Sequence, residues 1–364
     1  MDTKTRLKSL DALRGFDMLF IMGLAELVVA VCHLLPGGAT GWIAGQMEHV
    51  EWHGLAHHDT IFPLFLFIAG ISFPFSIAAQ KAAGKPESRI YLKIIRRGLV
   101  LVLLGFVYNG LFRFDFADMR YASVLGRIGL AWMFAALLYT AFGTRVCIAI
   151  SAVILLSYWL LMWLVPGSAT PFSFDDNLVG MIDRVLLPGR LHEKTFDPEG
   201  LFSTLPAIVT ALLGMFTGQF VRQSAGRFSD TKKSVYMLVA ALLLLVAGCV
   251  WSHWFPLNKK LWTSTFVCVV GGYSLLLFAL FYYIIDVKGW SRWSFFFRIV
   301  GLNSITIYLA QRIIDFNRIS GFFLSGIVRQ CPEAWGHLIS AAGYITVCWL
   351  FLYFLYRKNI FLKV

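Results

Sequence analysis

Charge is what this sequence has least of. Asp, Glu, Lys and Arg make up 14% of its 364 residues, where a soluble domain carries roughly 25%. Hydrophobic residues reach 58% and mean hydropathy is +0.71, too much apolar surface for a globule of this length to hide. Lipid must cover the remainder. Cysteines are few: Cys32, Cys147, Cys249, Cys268, Cys331 and Cys348 form no CxxC pair, and most fall in apolar runs. A disulfide framework and a cysteine metal site are both disfavoured. No Walker loop, GxSxG elbow or dinucleotide fingerprint is present, which removes support for ATP-driven transport and serine-hydrolase chemistry. No cleavable leader is evident, because the apolar segment after the short basic start contains Asp17 and Glu26 and lacks a small-residue cleavage site. The net charge of +12 does not indicate nucleic acid, since the basic residues gather in particular loops.

The apolar runs predict an all-α polytopic membrane bundle with about ten spans, each near the ~20 residues a crossing requires. They are placed at 13–35, 60–80, 94–112, 122–143, 146–165, 201–221, 234–253, 263–285, 295–313 and 337–356. No linker or defensible repeat divides the chain, so 1–364 is read as one domain. With ten spans, Lys4, Arg6 and Lys8 share a face with Lys81, Lys85, Arg89, Lys93, Arg96 and Arg97. Arg222, Arg227, Lys232, Lys233, Arg357, Lys358 and Lys363 fall on that face too, as the positive-inside rule asks of the cytoplasm. Both termini are therefore expected to be cytoplasmic. Loop 166–200, acidic through Asp175, Asp176, Asp183, Glu193, Asp197 and Glu199, falls opposite. So does loop 36–59, whose Trp42, Ile43 and Trp52 suit a segment dipping back against helices.

Ionisable groups at membrane depth are costly and tend to be functional. Glu26 has no partner on its own helix. Arg14 and Asp17, three residues apart, can simply neutralise each other. Arg127 is either functional or paired with Glu26 or Asp59. The densest cluster is His49, Trp52, His53, Gly54, His57, His58 and Asp59. A histidine that is neutral or cationic near neutral pH suits proton removal from an attacking amine. Asp59 orients such a base, or caps a helix whose early Pro63 fits a first turn. The i,i+4 pair His53 and His57 allows a zinc reading, but no HExxH accompanies it and no metal is expected. Spacing alone does not choose among the histidines. Arg96 and Arg97 offer an anionic cofactor a landing site, or else set topology and meet lipid headgroups.

Several motifs, in order along nearly the whole chain, resemble the heparan-alpha-glucosaminide N-acetyltransferase family. They begin with Arg6 to Gly15, His49-x-x-Trp52-x-Gly54 and Asp59-x-Ile-Phe62-Pro63. Ile182-Asp183-Arg184, Phe196 to Gly200, Asn258-Lys-Lys-Leu-Trp262 and Asp286-Val-Lys288-Gly289 follow, then Asn303-Ser304 with Tyr308, and Leu355-Tyr-Arg357. The resemblance implies acetyl transfer from cytoplasmic acetyl-CoA to a glucosamine-type amine across the membrane, His49 as the catalytic histidine, and a homodimer. Animal members read Trp-Asn-Gly where this chain has Trp52-His53-Gly54, and carry an asparagine near the place of Glu26. They also carry a lumenal domain before the first span, so the chain looks more like a bacterial inner-membrane relative with a periplasmic acceptor.

The mechanism expected on this basis assigns His49, Glu26 and Asp59 to catalysis and Arg14, Arg96, Arg97 and Arg127 to the donor. Trp52, Asp197, Glu199 and Asn258 are assigned to the acceptor, an amino sugar or glycan end, with Arg127 or Asn258 also available to an oxyanion. Direct transfer and an acetyl-histidine route are both open. The rivals are O-acylation of a glycan or lipid hydroxyl, separable by comparing amine and hydroxyl acceptors, and a proton-coupled transporter using Glu26, Asp17 and Arg127, separable by CoA-independent flux.

Overall fold

The computed structural model describes residues 7–35 and 37–362. Lys4, Arg6 and Lys363, three of the charges used for topology, lie outside them. Among the described residues the secondary structure is helical apart from turns and one isolated bridge between Arg120 and Gly189. Seven helices among the described residues are long and apolar enough to cross a membrane: α1 Lys8–Leu34, α3 His57–Ala82, α5 Val124–Leu164, α7 Thr204–Gln223, α8 Asp230–Trp251, α9 Ser264–Val287 and α13 Glu333–Arg357. Between them lie α2 Gly38–Gly45, α4 Glu87–Tyr108, α6 Leu178–Leu186, α10 Phe295–Leu302, α11 Ser304–Ile313 and α12 Phe316–Val328.

The difference between seven and ten has identifiable causes. The expected fourth and fifth spans form the single α5 of 41 residues, interrupted at Gly143, where φ 71 and ψ 179 leave the helical region. The expected third span is α4, in which Lys93, Arg96 and Arg97 dilute the apolar run. The expected ninth divides into α10 and α11 at Asn303, whose φ −127 and ψ 31 end one helix and open the next. Helix α12 has no counterpart among the expected spans.

At the extremes of the set, hydropathy and burial run in opposite directions. The most apolar stretches of α5 and α8, with mean hydropathies of 2.2 and 2.3, are each 22% buried, whereas α7, at 1.5, is 72% buried. Water as the only solvent would reverse that order, while lipid accepts the most apolar helices on the outside. The centre is formed by α3, α7 and α9. Helix α3 meets α7 where a Cβ added to Gly70 would overlap the Ala211 carbonyl oxygen, and one added to Gly214 would overlap that of Phe67. Such close backbone approach is how helices associate where burial from water supplies little drive.

Two details position the site. Helix α3 starts at His57, two residues before Asp59. Pro63 therefore sits beyond the first turn, where its missing N–H leaves the Asp59 carbonyl without the usual helical partner. Helix α1 is widened by a π-turn at Phe20–Leu24, with Gly23 at φ 118.

Candidate functional site

His49 belongs to an irregular segment between α2 and α3. Gly54, at φ 128, turns this segment, and its N–H donates to the Leu257 carbonyl at 2.9 Å. That bond ties the segment to the turn before α9. Asp59 lies in the first turn of α3 and uses both carboxylate oxygens. Oδ2 accepts from the Ala56 N–H at 3.1 Å and the Val50 N–H at 3.4 Å; Oδ1 meets His49 Nδ1 at 2.8 Å. Asp59 is thus not the N-cap that the sequence suggested: it lies at the third helical position, where one oxygen accepts the Ala56 N–H and the other holds the histidine. The carboxylate side chain is 2% exposed while the His49 side chain is 52% exposed. A proton on Nδ1 directed at Asp59 leaves the Nε2 lone pair available, which is the tautomer a base requires.

A third side chain completes the cluster. Lys259 Nζ lies 3.3 Å from Asp59 Oδ1, 3.0 Å from His49 Nδ1 and 3.4 Å from His49 Nε2. Its turn is set by Asn258, whose Oδ1 accepts from the Leu261 N–H at 2.9 Å and whose N–H donates to Thr263 Oγ1 at 3.1 Å. Burial lowers the Lys259 pKa, a pull that the Asp59 and Glu199 carboxylates oppose without cancelling. His58 lies against His49 with ring centroids 4.6 Å apart and planes tilted by 57°. Burial also lowers the pKa of His53.

Beside this cluster the outer loop is gathered by Arg120. Its guanidinium binds both oxygens of Asp197, at 2.6 and 2.7 Å, and reaches Glu199 as well. Burial alone would raise the Asp197 pKa, but the Arg120 hydrogen bond and charge outweigh it and the net shift is downward. For Arg120 itself burial pulls down, and the two carboxylates carry the pKa upward. Among the described residues Asp183 has no such cation in contact. Burial pushes its pKa up to about 6, and its Oδ2 accepts the Asp197 N–H at 3.2 Å.

The expected site residues separate into three groups. His49 and Asp59 come together. Trp52, Asp197 and Asn258 stand nearby with their polar groups engaged: the Trp52 indole N–H donates to the Phe172 carbonyl at 2.9 Å, Asp197 is fully buried on Arg120, and Asn258 organises its turn. Glu199 lies between Arg120 and Lys259 in its electrostatic reach. Arg127 meets neither Glu26 nor Asp59; it donates to Ser203 Oγ and the Gly200 carbonyl and stacks over Trp262 at 4.9 Å.

The other assigned residues sit elsewhere. Glu26 is exposed on α1, and its charge is felt by Tyr344 of α13, so the structure does not join it to His49. Arg14 turns toward Asp11 at 3.5 Å and Ser72 Oγ at 3.4 Å. Its expected neutral pairing with Asp17 does not form: Asp17 Oδ2 is buried without a hydrogen-bond partner among the described residues. Arg97 stacks over Trp132 at 4.3 Å and is close enough for its charge to act on Arg14. Arg96 is exposed. Lys259 and Arg120 were not singled out by sequence reasoning; Lys259 lay inside a quoted motif, while nothing around Arg120 marks it.

An all-helical membrane protein with a histidine–carboxylate–lysine cluster where its central helices meet an ordered loop is the class that fold and site define. The sequence comparisons make it specific. A model of heparan-alpha-glucosaminide N-acetyltransferase, catalytic, matches residues 6–249, and the chain belongs to that family. The heparan-alpha-glucosaminide N-acetyltransferase of Homo sapiens is 26% identical over 417 aligned positions, covering 99% of this chain and 60% of the relative. That of Mus musculus is 26% identical over 419, covering 99% and 62%. The chain thus spans about three fifths of the length of these curated relatives.

Proposed function

We propose that the protein transfers the acetyl group of cytoplasmic acetyl-CoA to the amine of a glucosamine-type glycan end on the other side of the membrane. The observation that carries this reading is the arrangement along α3. Asp59 holds His49 at one end of the helix, and Ser72, thirteen residues further on, holds Arg14, with Arg97 beside it. At 1.5 Å per residue the two stations are about 20 Å apart, comparable to an extended pantetheine arm. Phosphates held by Arg14 and Arg97, with Arg96 as a further donor residue, would leave the thioester near His49; Arg127, bound to Gly200 and Ser203, lies at the other station. Arginine suits the phosphate-holding role because its fork matches phosphate oxygens.

In the reaction, His49 Nε2 takes a proton from the acceptor amine while the nitrogen attacks the thioester carbonyl. Asp59 fixes the ring and stabilises the imidazolium that forms. Collapse breaks the C–S bond, and the thiolate leaves with the proton from His49. Glu199 and the ring of Trp52 form the acceptor side, which Asp197 and Asn258 support from behind.

The orientation follows the loop charges: ten crossings, with α5 passing twice about Gly143 and α4 and the α10–α11 pair crossing as well. Both termini are then cytoplasmic and His49 faces the periplasm of a bacterial inner membrane. Residues 1–364 act as one acyltransferase domain, in a homodimer.

The test is transfer from labelled acetyl-CoA to glucosamine by purified protein in detergent, with His49→Ala alongside. Transfer lost in the variant while acetyl-CoA still binds is the expected result. Undiminished transfer by the variant removes His49 from the chemistry. Transfer to hydroxyl but not amine acceptors replaces N- by O-acylation, and substrate flux without CoA binding replaces the enzyme by a transporter.

A further inference from the structure

We infer that Lys259 is the cation that receives the negative charge developing on the thioester oxygen during transfer, an inference resting on the acetyl-transfer reading above. The position of its ammonium group is the first argument. At 3.0 Å from Nδ1 and 3.4 Å from Nε2 of His49, Nζ is nearly equidistant from the two ring nitrogens. It therefore stands beside the imidazole, off the lone-pair axis of either nitrogen. Nδ1 is engaged by Asp59 at 2.8 Å, so Nε2 stays open to an acceptor N–H. An acceptor nitrogen within about 3 Å of Nε2 brings the carbonyl it attacks into the space that Nζ borders.

The second argument is that the other donors are spent or held away. The Arg127 guanidinium is fixed by its Nη2 bonds to Ser203 and Gly200 and by its place over Trp262, and among the described residues it meets neither His49 nor Asp59. Asn258 turns its amide NH2 to His53 at 3.4 Å and its oxygen to the Leu261 N–H. The Val50 and Ala56 N–H groups donate to Asp59. Lys259 reaches the reactive nitrogen with an ammonium that has three N–H bonds, and its side chain is 22% exposed. A partly desolvated cation aimed at a developing oxyanion acts more strongly than one in water.

The electron accounting is complete. Attack forms the C–N bond and moves the carbonyl π pair onto oxygen, beside Nζ. His49 takes the amine proton. Re-formation of C=O breaks the C–S bond, and the thiolate takes the proton from His49, giving an amide and CoA thiol. Lys259 keeps its proton throughout, so transfer requires it to stay charged. The charged and titratable groups that face it are His49, Asp59, His58, Glu199 and Lys260. Burial lowers its pKa, and rising pH therefore discharges it earlier than an ordinary lysine.

The experiment compares kcat and KM for acetyl-CoA between wild type, Lys259→Met and Lys259→Arg across pH. Thermal stabilisation by acetyl-CoA reports binding in each. The expected result is a fall in kcat of about 10²- to 10³-fold in Lys259→Met, with KM little changed. Lys259→Arg recovers part of that loss and loses the alkaline limb, because a guanidinium stays charged. Lys259→Met with near wild-type kcat overturns the inference, as does a rise in KM alone. So does an alkaline limb that persists unshifted in Lys259→Arg, a comparison that holds even if the methionine variant fails to fold. A wild type inactive with every acceptor sinks the acetyl-transfer reading instead, whatever the variants do.

Discussion

Replacing Asp59 by Asn tests the centre of the site with one atom changed. The carboxylate accepts on both sides: Oδ1 faces His49 Nδ1 and Lys259, and Oδ2 faces the N–H groups of Val50 and Ala56. Asparagine has the same shape but one acceptor oxygen, so its NH2 must confront donors on one side. If the oxygen stays with the backbone, the NH2 points at Nδ1, and His49 must turn its proton to Nε2. The base is then lost, at a cost of about 10²- to 10⁴-fold in kcat. If the oxygen instead stays with His49, the start of α3 loses its acceptor, at about 1 kcal/mol. Lys259 loses its counter-charge in either case; at 22% exposure solvent screens much of that loss. We expect kcat to fall at least a hundredfold in the acetyl-transfer assay, with acetyl-CoA KM within a few-fold, because Arg14 and Arg97 lie about 20 Å along the helix. A variant within tenfold of wild-type kcat, in a preparation where His49→Ala is inactive, would reduce Asp59 to a support for the start of α3.

Arg97→Gln should raise KM for acetyl-CoA about 10- to 100-fold, the value of a charge-assisted hydrogen bond. It should leave turnover of acetyl-pantetheine, which lacks the nucleotide phosphates, unchanged; equal losses with both donors would contradict the assignment. Gly15→Ala places a methyl group on the Phe297 carbonyl oxygen, and overpacking of about 1–3 kcal/mol should lower the thermal midpoint in detergent. An unchanged midpoint would mean that α1 and α10 can separate at no cost. Burial raises the Asp183 pKa from its ordinary 3.8 to about 6, so the folded loop binds more protons than the unfolded loop between those values. Loop stability should therefore rise as pH falls through that window, seen as slower hydrogen exchange over residues 178–203 after correction for intrinsic rates. Asp183→Asn should abolish that dependence, and a dependence that survives would place its origin in another group.

The membrane helices were legible because lipid imposes a length and a composition that few other environments demand. Their breaks were less so. Gly143 has nothing within 4 Å of a built Cβ, and its conformation is a backbone property that hydropathy does not register. At Asn303, Nδ2 donates to the Ile360 carbonyl at 3.0 Å, a contact across 57 residues that separates α10 from α11 and lies outside any sequence window. The start of α3 was misplaced for a related reason. Gln46 supplies its carbonyl to the His58 N–H and its side-chain oxygen to the His57 N–H, both at 3.0 Å, so the helix begins before the acidic residue that usually marks a start.

The site divides along the same line. His49 and Asp59 are ten residues apart, and a dense run of histidine, tryptophan, glycine and aspartate draws attention to both. Lys259 stands 210 residues from His49 in a segment that reads as a basic loop, where a lysine is ordinarily solvated. Gly54 makes the difference. Its positive φ presents its N–H to the Leu257 carbonyl, and two residues later the chain carries Lys259 to the imidazole. The motif glycine thus aligns two loops as well as turning one. Gly54→Ala strains that turn and should cost turnover through Lys259, while Lys259→Met removes the cation and leaves the turn intact. If the glycine acts by positioning the lysine, the double variant should be little slower than Lys259→Met alone. Fully multiplicative losses would show two independent contributions and separate the loop geometry from the cation.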